Sequence, residues 1–287
     1  AFAVLSVVIN HLNVDFLSGG FVGVDIFFVI SGYLITGMLK KDFESKTFSI
    51  YSFYDRRLRR IFPSLFVVIF FTIIFSYFIF LPSDFLLTIK SSMSTLFFVS
   101  NFYFWKELQA GYFAAIDSSL ATFVHTWSLA VEEQFYIFFP IFLLFLYKTN
   151  IKKVTYVLSA IFLISLLLSE HFLKNHSVAV FFLSPFRVWE LLAGSMLAYN
   201  LFPQIRSHYL RELFCLLGIL LILFSVIFLD PLIYNFPGLI ALLPVLGAVT
   251  VIHSGISGSS FFVNFFKFKP LVYIGLISYS LYLWHWP

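Results

Sequence analysis

The chain has 287 residues, of which 61% are hydrophobic and only 11% are charged, and its formal net charge is +4. A soluble domain carries about 25% charged residues, so this chain has too little polar surface to cover a water-facing globule. Its single cysteine excludes a disulfide framework and a thiolate metal cluster. The composition therefore predicts an all-α, polytopic transmembrane helical bundle, and the scattered basic residues predict no nucleic-acid partner.

The apolar runs predict the spans in chain order, because about 20 apolar residues are needed to cross a bilayer as a helix. About nine spans are expected, near residues 1–12, 21–39, 61–81, 127–147, 154–170, 185–202, 213–229, 237–253 and 271–287. The first and last are cut by the ends of the sequence. We therefore expect a single membrane-embedded domain, 1–287, truncated at both ends, and about ten spans in the complete domain.

The segment 85–105 is ambiguous, since it is apolar overall but contains Lys90 and a polar patch at 91–95. If it does not cross the membrane, 14 of the 18 Lys and Arg residues fall on one side, which the positive-inside rule makes cytoplasmic. If it does cross, the division is 10 against 7, with Lys90 inside the bilayer. The rule therefore predicts a re-entrant or interfacial segment on the outer side.

Two ionisable residues near the N-terminus are functional candidates, because an ionisable side chain in a membrane is costly unless it is paired or lines a cavity. His11 lies in VVINHLN, and an imidazole can act as a general base near neutral pH. The alternative is a helix-capping or interfacial histidine. Asp25 either orients His11 or is a structural aspartate, and the nearby Ser31 and Gly32 permit close helix packing.

A further candidate is HTWSLAVEEQFY, residues 125–136. On a helix that starts near Thr126, Ser128 and Glu132 lie on one face at i, i+4. Glu132 and Glu133 point about 100° apart on such a helix, so we expect at most one of them to face a given cavity. The alternative is that both anchor a polar interhelical network.

Four arginines lie in a predicted loop earlier in the chain, FYDRRLRRIFP at 53–63: Arg56, Arg57, Arg59 and Arg60. Arginine suits bidentate capture of phosphate, and the i, i+3 spacing would stack Arg56 with Arg59 and Arg57 with Arg60. The alternative is a basic loop that only determines topology.

Lesser candidates lie further along the chain. Arg187 and Glu190 can pair on one helix face, and His285 lies in SYSLYLWHWP. The remaining histidines are interpreted as ordinary interface residues: His125, His171, His176, His208 and His253. We find no motif of ATP-driven or hydrolytic soluble enzymes and no metal-ligand spacing, so neither a metal nor a bound cofactor is expected.

Six segments together carry a family resemblance: VLSVVINH, GGFVGVDIFFVISGYLIT, FYDRRLRRIFP, HTWSLAVEEQFY, FRVWELLAGSML and SYSLYLWHWP. In this order they resemble acyltransferase family 3, integral-membrane enzymes that O-acylate sugars of lipopolysaccharide, peptidoglycan and exopolysaccharide. The resemblance covers the whole chain and is nearest to the lipopolysaccharide O-acetyltransferase branch. The family's arginine before the first-span histidine would precede Ala1. Its closing spans, and the periplasmic SGNH-type domain of many relatives, would follow Pro287.

The resemblance implies acetyl-CoA as donor substrate and a cell-surface glycan or lipid-linked sugar as acceptor, in the cytoplasmic membrane of a bacterium. His11 matches the family's catalytic histidine, with Asp25 and Glu132 as its expected partners. The four arginines match the donor-handling motif. Trp127, Ser128, Arg187 and Glu190 are the expected substrate-binding residues.

Two other classes of function stay open at this stage. His11, Asp25 and Glu132 could form the proton relay of a membrane transporter, or the chain could be a non-catalytic scaffold. For the enzyme, direct transfer and a covalent acyl intermediate both fit the sequence.

Overall fold

The computed structural model describes residues 1–12, 17–109, 111–113, 121–147, 151–259 and 261–287, with backbone alone for 151–152. These residues are helical or irregular, and no strand occurs among them. The helices are α1 (Phe2–His11), α2 (Gly23–Glu44), α3 (Ile50–Ile79), α4 (Pro82–Leu96), α5 (Ser100–Glu107), α6 (Thr126–Tyr147), α7 (Ile151–Leu173), α8 (Ser177–Phe182), α9 (Val188–Ala198), α10 (His208–Phe228), α11 (Leu242–Ser257), α12 (Phe261–Phe265), α13 (Lys269–Leu276) and α14 (Ser278–Trp284).

Long apolar helices confirm the predicted polytopic bundle. Six stretches in the described ranges are long and apolar enough to cross a membrane: Gly20–Glu44, Ile50–Ile79, Thr126–Tyr147, Lys153–Leu173, His208–Phe228 and Gly238–Ser257. The helices α1 and α9 are apolar but shorter. Large hydrophobic side chains such as Phe70 and Phe75 are exposed on α3, as expected of a lipid-facing surface.

Residues 85–105, predicted to be a re-entrant or interfacial segment and not a span, fold as the two short helices α4 and α5, and neither is long enough to cross a membrane. The structure differs from the predicted spans elsewhere. The predicted span 271–287 is interrupted between α13 and α14 at Ile277, and the helix within 185–202 has only 11 residues. The arginine segment 53–63 was predicted to be a loop, and this was wrong: it lies inside α3, which begins at the N-cap Ser49.

The loops fall on two faces of the bundle. At one end, the His253 ring contacts the Pro203 carbonyl at 3.1 Å and Arg211 donates to the Ser257 carbonyl at 2.8 Å, so the connections after α9 and α11 lie together. At the other end, the Gly19 amide donates to the Val226 carbonyl at 3.0 Å, which joins the start of α2 to the end of α10. We name the first the basic face, because the basic loops belong to it, and the second the opposite face.

Small residues bring α2 and α9 into close contact at the centre of the bundle. A Cβ atom on Gly32 would lie 1.8 Å from the Leu191 carbonyl oxygen, and one on Gly194 would lie 1.9 Å from the Val29 carbonyl oxygen. The Thr36 hydroxyl donates to the Ser195 hydroxyl at 2.8 Å across the same interface. This is the close helix approach that the sequence predicted from Ser31 and Gly32.

We predict that Gly32→Ala lowers stability by about 1–3 kcal/mol or more, because the added methyl group collides with backbone atoms that cannot move alone. Gly37→Ala on the same helix is the matched control, since nothing lies within 4 Å of its added Cβ. It should be neutral or stabilising by up to about 1 kcal/mol. Thermal unfolding in detergent measures both, and equal midpoints would contradict the proposed packing.

Candidate active site

His11 lies at the end of α1 beside the C-terminal histidine. Its Nδ1 is 2.9 Å from Nε2 of His285, and its Nε2 is 3.1 Å from the Tyr112 hydroxyl. The Nδ1 of His285 is 2.5 Å from the Tyr282 carbonyl oxygen. The structure therefore brings together His11 and His285, which are 274 positions apart in the chain.

These contacts determine the hydrogen positions on both rings. A carbonyl can only accept, so His285 carries its proton on Nδ1 and its Nε2 is an acceptor. The His11 Nδ1 must then carry the proton that it donates to His285. The lone pair of His11 is left on Nε2, where the Tyr112 hydroxyl donates to it. Nε2 is thus the basic atom of His11, and His285 has the orienting position that the sequence analysis assigned to a carboxylate.

His125 belongs to the same histidine cluster. It was predicted to be an ordinary interface residue, and this was wrong: its side chain is buried and its ring centroid is 5.2 Å from that of His285. Neither ring nitrogen has a hydrogen-bond partner among the described residues. The sequence signal was its place directly before α6, in a motif that the analysis had already singled out.

A narrow cavity of about 10 Å³, the His11 cavity, adjoins the His11 side chain. This is room for about one water molecule. Its lining comes mainly from helix ends on the opposite face: Val7, His11, Phe21, Val24, Asp25, Tyr112, Trp127, Phe181, Arg187, Phe236 and Tyr282. Trp127 therefore faces the cavity of the histidine, and a group larger than a water molecule can enter only if these side chains move.

Asp25 does not orient His11, and the expectation that it does was wrong. Its Oδ1 lies 3.2 Å from an Arg187 guanidinium nitrogen, and the other terminal nitrogen of Arg187 lies 3.2 Å from Glu190 Oε1. All three side chains are at most 1% exposed. The predicted Arg187–Glu190 pair exists, and Asp25 is its third member.

Four aromatic rings surround the Arg187 guanidinium. The rings of Phe28, Trp127, Phe181 and Phe236 have centroids 5.4 to 5.7 Å from its central carbon. Such a distance is within the range of cation–π attraction, which strengthens when water is excluded. Three of these rings also line the His11 cavity.

A larger cavity of about 220 Å³, the basic-face cavity, lies between α2, α3, α6 and the α13–α14 segment. Arg57 and Arg60 line it at the end near the basic loops, and Ser128, Glu132 and Tyr282 line it further inside. Along α2 the lining runs from Ile35 to Val24, which is about 16 Å of helix.

The four predicted arginines separate into two pairs. Arg57 and Arg60 line the basic-face cavity, and Arg57 also lies over the Tyr136 ring at 4.9 Å. Arg56 instead pairs with Asp42 at 3.3 Å, and Arg59 pairs with Asp55 at 2.9 Å. Only one of the two predicted i, i+3 pairs, Arg57 with Arg60, therefore lines the cavity. Donor binding by the four arginines stays a prediction.

Glu132 lies in the basic-face cavity and not beside His11. Its carboxylate accepts hydrogen bonds from the Ser31 and Tyr136 hydroxyls. Glu133 is buried and lines the same cavity, so the expectation that only one of the two carboxylates could face it was wrong. Ser128 and Glu132 share a face as predicted.

Tyr282 separates the two cavities. Together with Val24 it lines both of them. Its hydroxyl is 2.6 Å from the Ser128 hydroxyl and donates to the His125 carbonyl at 2.8 Å. Tyr282 lies within one of the family motifs but was not predicted to be functional, and Tyr112 lies within none of them.

The arrangement as a whole joins a basic cavity to a buried imidazole through one tyrosine. No group of three or more His, Cys, Asp or Glu side chains in the described ranges is arranged to hold a metal ion.

Comparison with known protein families shows where the chain belongs. The profile of the acyltransferase family 3 domain, described as an acyltransferase domain, matches residues 1–287. The chain belongs to acyltransferase family 3.

Proteins similar to this chain occur in Staphylococcus aureus. The O-acetyltransferase OatA of strain NCTC 8325 / PS 47 is 35% identical over 306 residues, which cover 100% of this chain and 49% of OatA. A putative O-acetyltransferase of strain COL is 35% identical over 299 residues, or 99% of this chain and 48% of the relative. The family 3 chain thus spans about half the length of the curated relatives it matches. No solved structure matches it.

We predict that Arg187→Met destabilises this family 3 domain by about 3–5 kcal/mol, because Asp25 and Glu190 are then buried without their cation. Arg56→Met is the matched control. It breaks a half-exposed pair with Asp42 and should change stability by less than about 1 kcal/mol. Thermal unfolding of both variants in detergent measures the difference, and equal losses would contradict a structural role for the buried cluster.

Proposed function

We propose that this chain is the membrane domain of a bacterial O-acetyltransferase, a multi-pass protein of the cytoplasmic membrane. It would transfer acetyl from acetyl-CoA to a sugar hydroxyl of a cell-surface glycan, such as a lipopolysaccharide O-antigen. The observation that carries the proposal is that two neighbouring cavities share a wall. Arg57 and Arg60 line the basic-face cavity, and the imidazole lines the His11 cavity. The O-acetyltransferase names of the relatives support the type of reaction.

The donor would bind in the basic-face cavity. Arg57 and Arg60 have no ion pair with any described carboxylate, so their guanidinium groups are available for the phosphates of acetyl-CoA. The cavity extends about 16 Å along α2 towards Tyr282, a length that an extended pantetheine arm can occupy. The thioester would then reach the wall between the two cavities.

The chemistry would take place at His11 Nε2. The sugar hydroxyl gives its proton to Nε2 while its oxygen attacks the thioester carbonyl carbon. The carbon–sulfur bond breaks, the thiolate of coenzyme A leaves, and the imidazolium returns the proton to it. The products are the O-acetyl sugar and coenzyme A. His285 stabilises the imidazolium by accepting the Nδ1 hydrogen, and the Tyr282 side chain lies on the wall that the two cavities share.

The contacts favour this reaction over the transporter alternative. A proton relay needs His11, Asp25 and Glu132 to be connected. Among the described residues, each binds different partners: His11 bonds to His285 and Tyr112, Asp25 to Arg187, and Glu132 to Ser31 and Tyr136. Family membership and these separate hydrogen-bond networks both support an acyltransferase. A measurement of acetyl transfer distinguishes an active enzyme from an inactive scaffold.

We predict that Arg57→Ala and Arg60→Ala each weaken coenzyme A binding by about tenfold or more, since each removes charged hydrogen bonds worth about 1.5–3 kcal/mol. Arg56→Ala and Arg59→Ala are matched controls from the same helix and should bind almost normally. The measurement is thermal stabilisation of the purified protein by coenzyme A. Equal losses in all four variants would indicate a general charge effect instead of a site.

We predict that His11→Ala lowers glycan acetylation by about 10²–10⁴-fold, the usual contribution of a general base. His285→Ala should lower kcat by about tenfold or more with little change in the KM for acetyl-CoA, because one hydrogen bond that orients His11 is lost. His285→Gln should retain more activity, since its amide oxygen can still accept the His11 hydrogen.

The assay is NMR of the surface glycan from cells that carry the full-length protein, with kinetics on the purified enzyme. His171→Ala is the control, an exposed histidine on the opposite face. Unchanged acetylation in His11→Ala at equal membrane abundance would remove His11 from the chemistry. A stable acetyl-enzyme trapped without acceptor would contradict direct transfer and support the covalent route.

A further inference from the structure

A third cavity opens on the opposite face of the bundle. It has a volume of about 340 Å³ and lies between residues 111–113, α8 and the connection 229–237. We name it the opposite-face cavity. Its volume falls at the lower end of the range of small-molecule sites in proteins. It is larger than the basic-face cavity, and the reaction outlined above gives it no role.

Aromatic rings and uncharged polar groups form its walls. Tyr112 stacks on Phe181 with the ring centroids 4.9 Å apart and the planes at 23°. Phe236 and Tyr234 add further rings, and Asn235 provides an amide on the exposed side. No charged side chain is among its described lining residues, in contrast to the two arginines of the basic-face cavity.

The connection that carries these groups is an ordered turn. The Asp230 carboxylate accepts from the Leu232 amide at 2.8 Å, and the Asp230 carbonyl accepts from the Tyr234 amide at 2.9 Å. At the other end, the Glu170 carboxylate accepts from the Leu239 amide at 2.7 Å. Hydrogen bonds therefore hold the backbone of this connection near both of its ends before any ligand binds, which lowers the entropy cost of binding.

The opposite-face cavity adjoins the His11 cavity. It shares Tyr112, Phe181 and Phe236 with the His11 cavity. The Tyr112 hydroxyl between them is 3.1 Å from His11 Nε2, the atom that must accept the proton. A hydroxyl that enters from this cavity reaches Nε2 by taking the place of the Tyr112 hydroxyl.

A pyranose ring matches these walls. It offers apolar C–H faces to aromatic rings and hydroxyl groups to amides and phenols, and it carries no charge that would need an arginine. We propose that the opposite-face cavity binds a neutral pyranose ring of the acceptor glycan and presents one hydroxyl to His11, an inference that rests on the proposed function. The donor and the acceptor then approach the imidazole from opposite faces of the membrane.

The test separates the acceptor from the donor by kinetics on the full-length protein in detergent. The probe is the surface glycan of the host cell after alkaline treatment has removed its O-acetyl groups. Val178→Trp fills the cavity, and Asn235→Ala removes its amide with little risk to folding. Ile233→Trp is the matched control, because Ile233 lies in the same connection, is 73% exposed and does not line the cavity.

We expect the KM for the glycan to rise about tenfold or more in Val178→Trp and severalfold in Asn235→Ala, as the loss of a fitted ring or one hydrogen bond implies. The KM for acetyl-CoA and the stabilisation by coenzyme A should not change, and Ile233→Trp should behave as wild type. An unchanged glycan KM in Asn235→Ala and Val178→Trp would overturn the acceptor site alone. Wild-type protein that binds no coenzyme A and transfers no acetyl would overturn the proposed function instead.

Discussion

The guanidinium of Arg187 is the group on which the arrangement of the site depends. Its side chain is 1% exposed, so water does not solvate it and it must find its partners within the protein. It finds two carboxylates, Asp25 and Glu190, and four aromatic rings. Trp127, Phe181 and Phe236 touch the guanidinium on one side and line the His11 cavity on another. The buried ion cluster thus holds the walls of the His11 cavity in place. It can do this without taking part in any reaction there.

The close packing of α2 against α9 makes this cluster possible. Gly32 and Gly194 let the two backbones approach each other, and that brings the first turn of α9 against Asp25 at the start of α2. Small residues are the usual means of helix association in membranes, where the hydrophobic effect gives no preference for protein over lipid. The buried charges then add a requirement for one relative position of the helices, because a shift would leave a carboxylate unpaired.

The polar groups of the site form a path from one face of the bundle to the other. Arg57 and Arg60 lie near the basic loops, Tyr282 and His11 lie between the cavities, and Tyr112 adjoins the opposite face. The His11 cavity is the narrowest part, with room for about one water molecule. In the proposed reaction, this narrow cavity between two larger ones would keep water away from the thioester until an acceptor hydroxyl displaces the Tyr112 side chain. Exclusion of water would then favour transfer to a sugar over hydrolysis.

The membrane class, the helical architecture, most long helices and the Arg187–Glu190 pair could be predicted from the sequence, which also singled out His11 and the arginine segment as candidates. These depend on composition, on apolar run length and on spacing within one helix, all of which are local. Which groups meet depends on how the helices pack together. It pairs His11 with His285, Asp25 with Arg187, and Glu132 with Ser31 and Tyr136. It also turns Arg57 and Arg60, and not Arg56 and Arg59, towards the cavity. The contacts of His11 with His285, of Asp25 with Arg187 and of Glu132 with Ser31 join residues more than 100 positions apart, and no local pattern specifies which helix lies beside which.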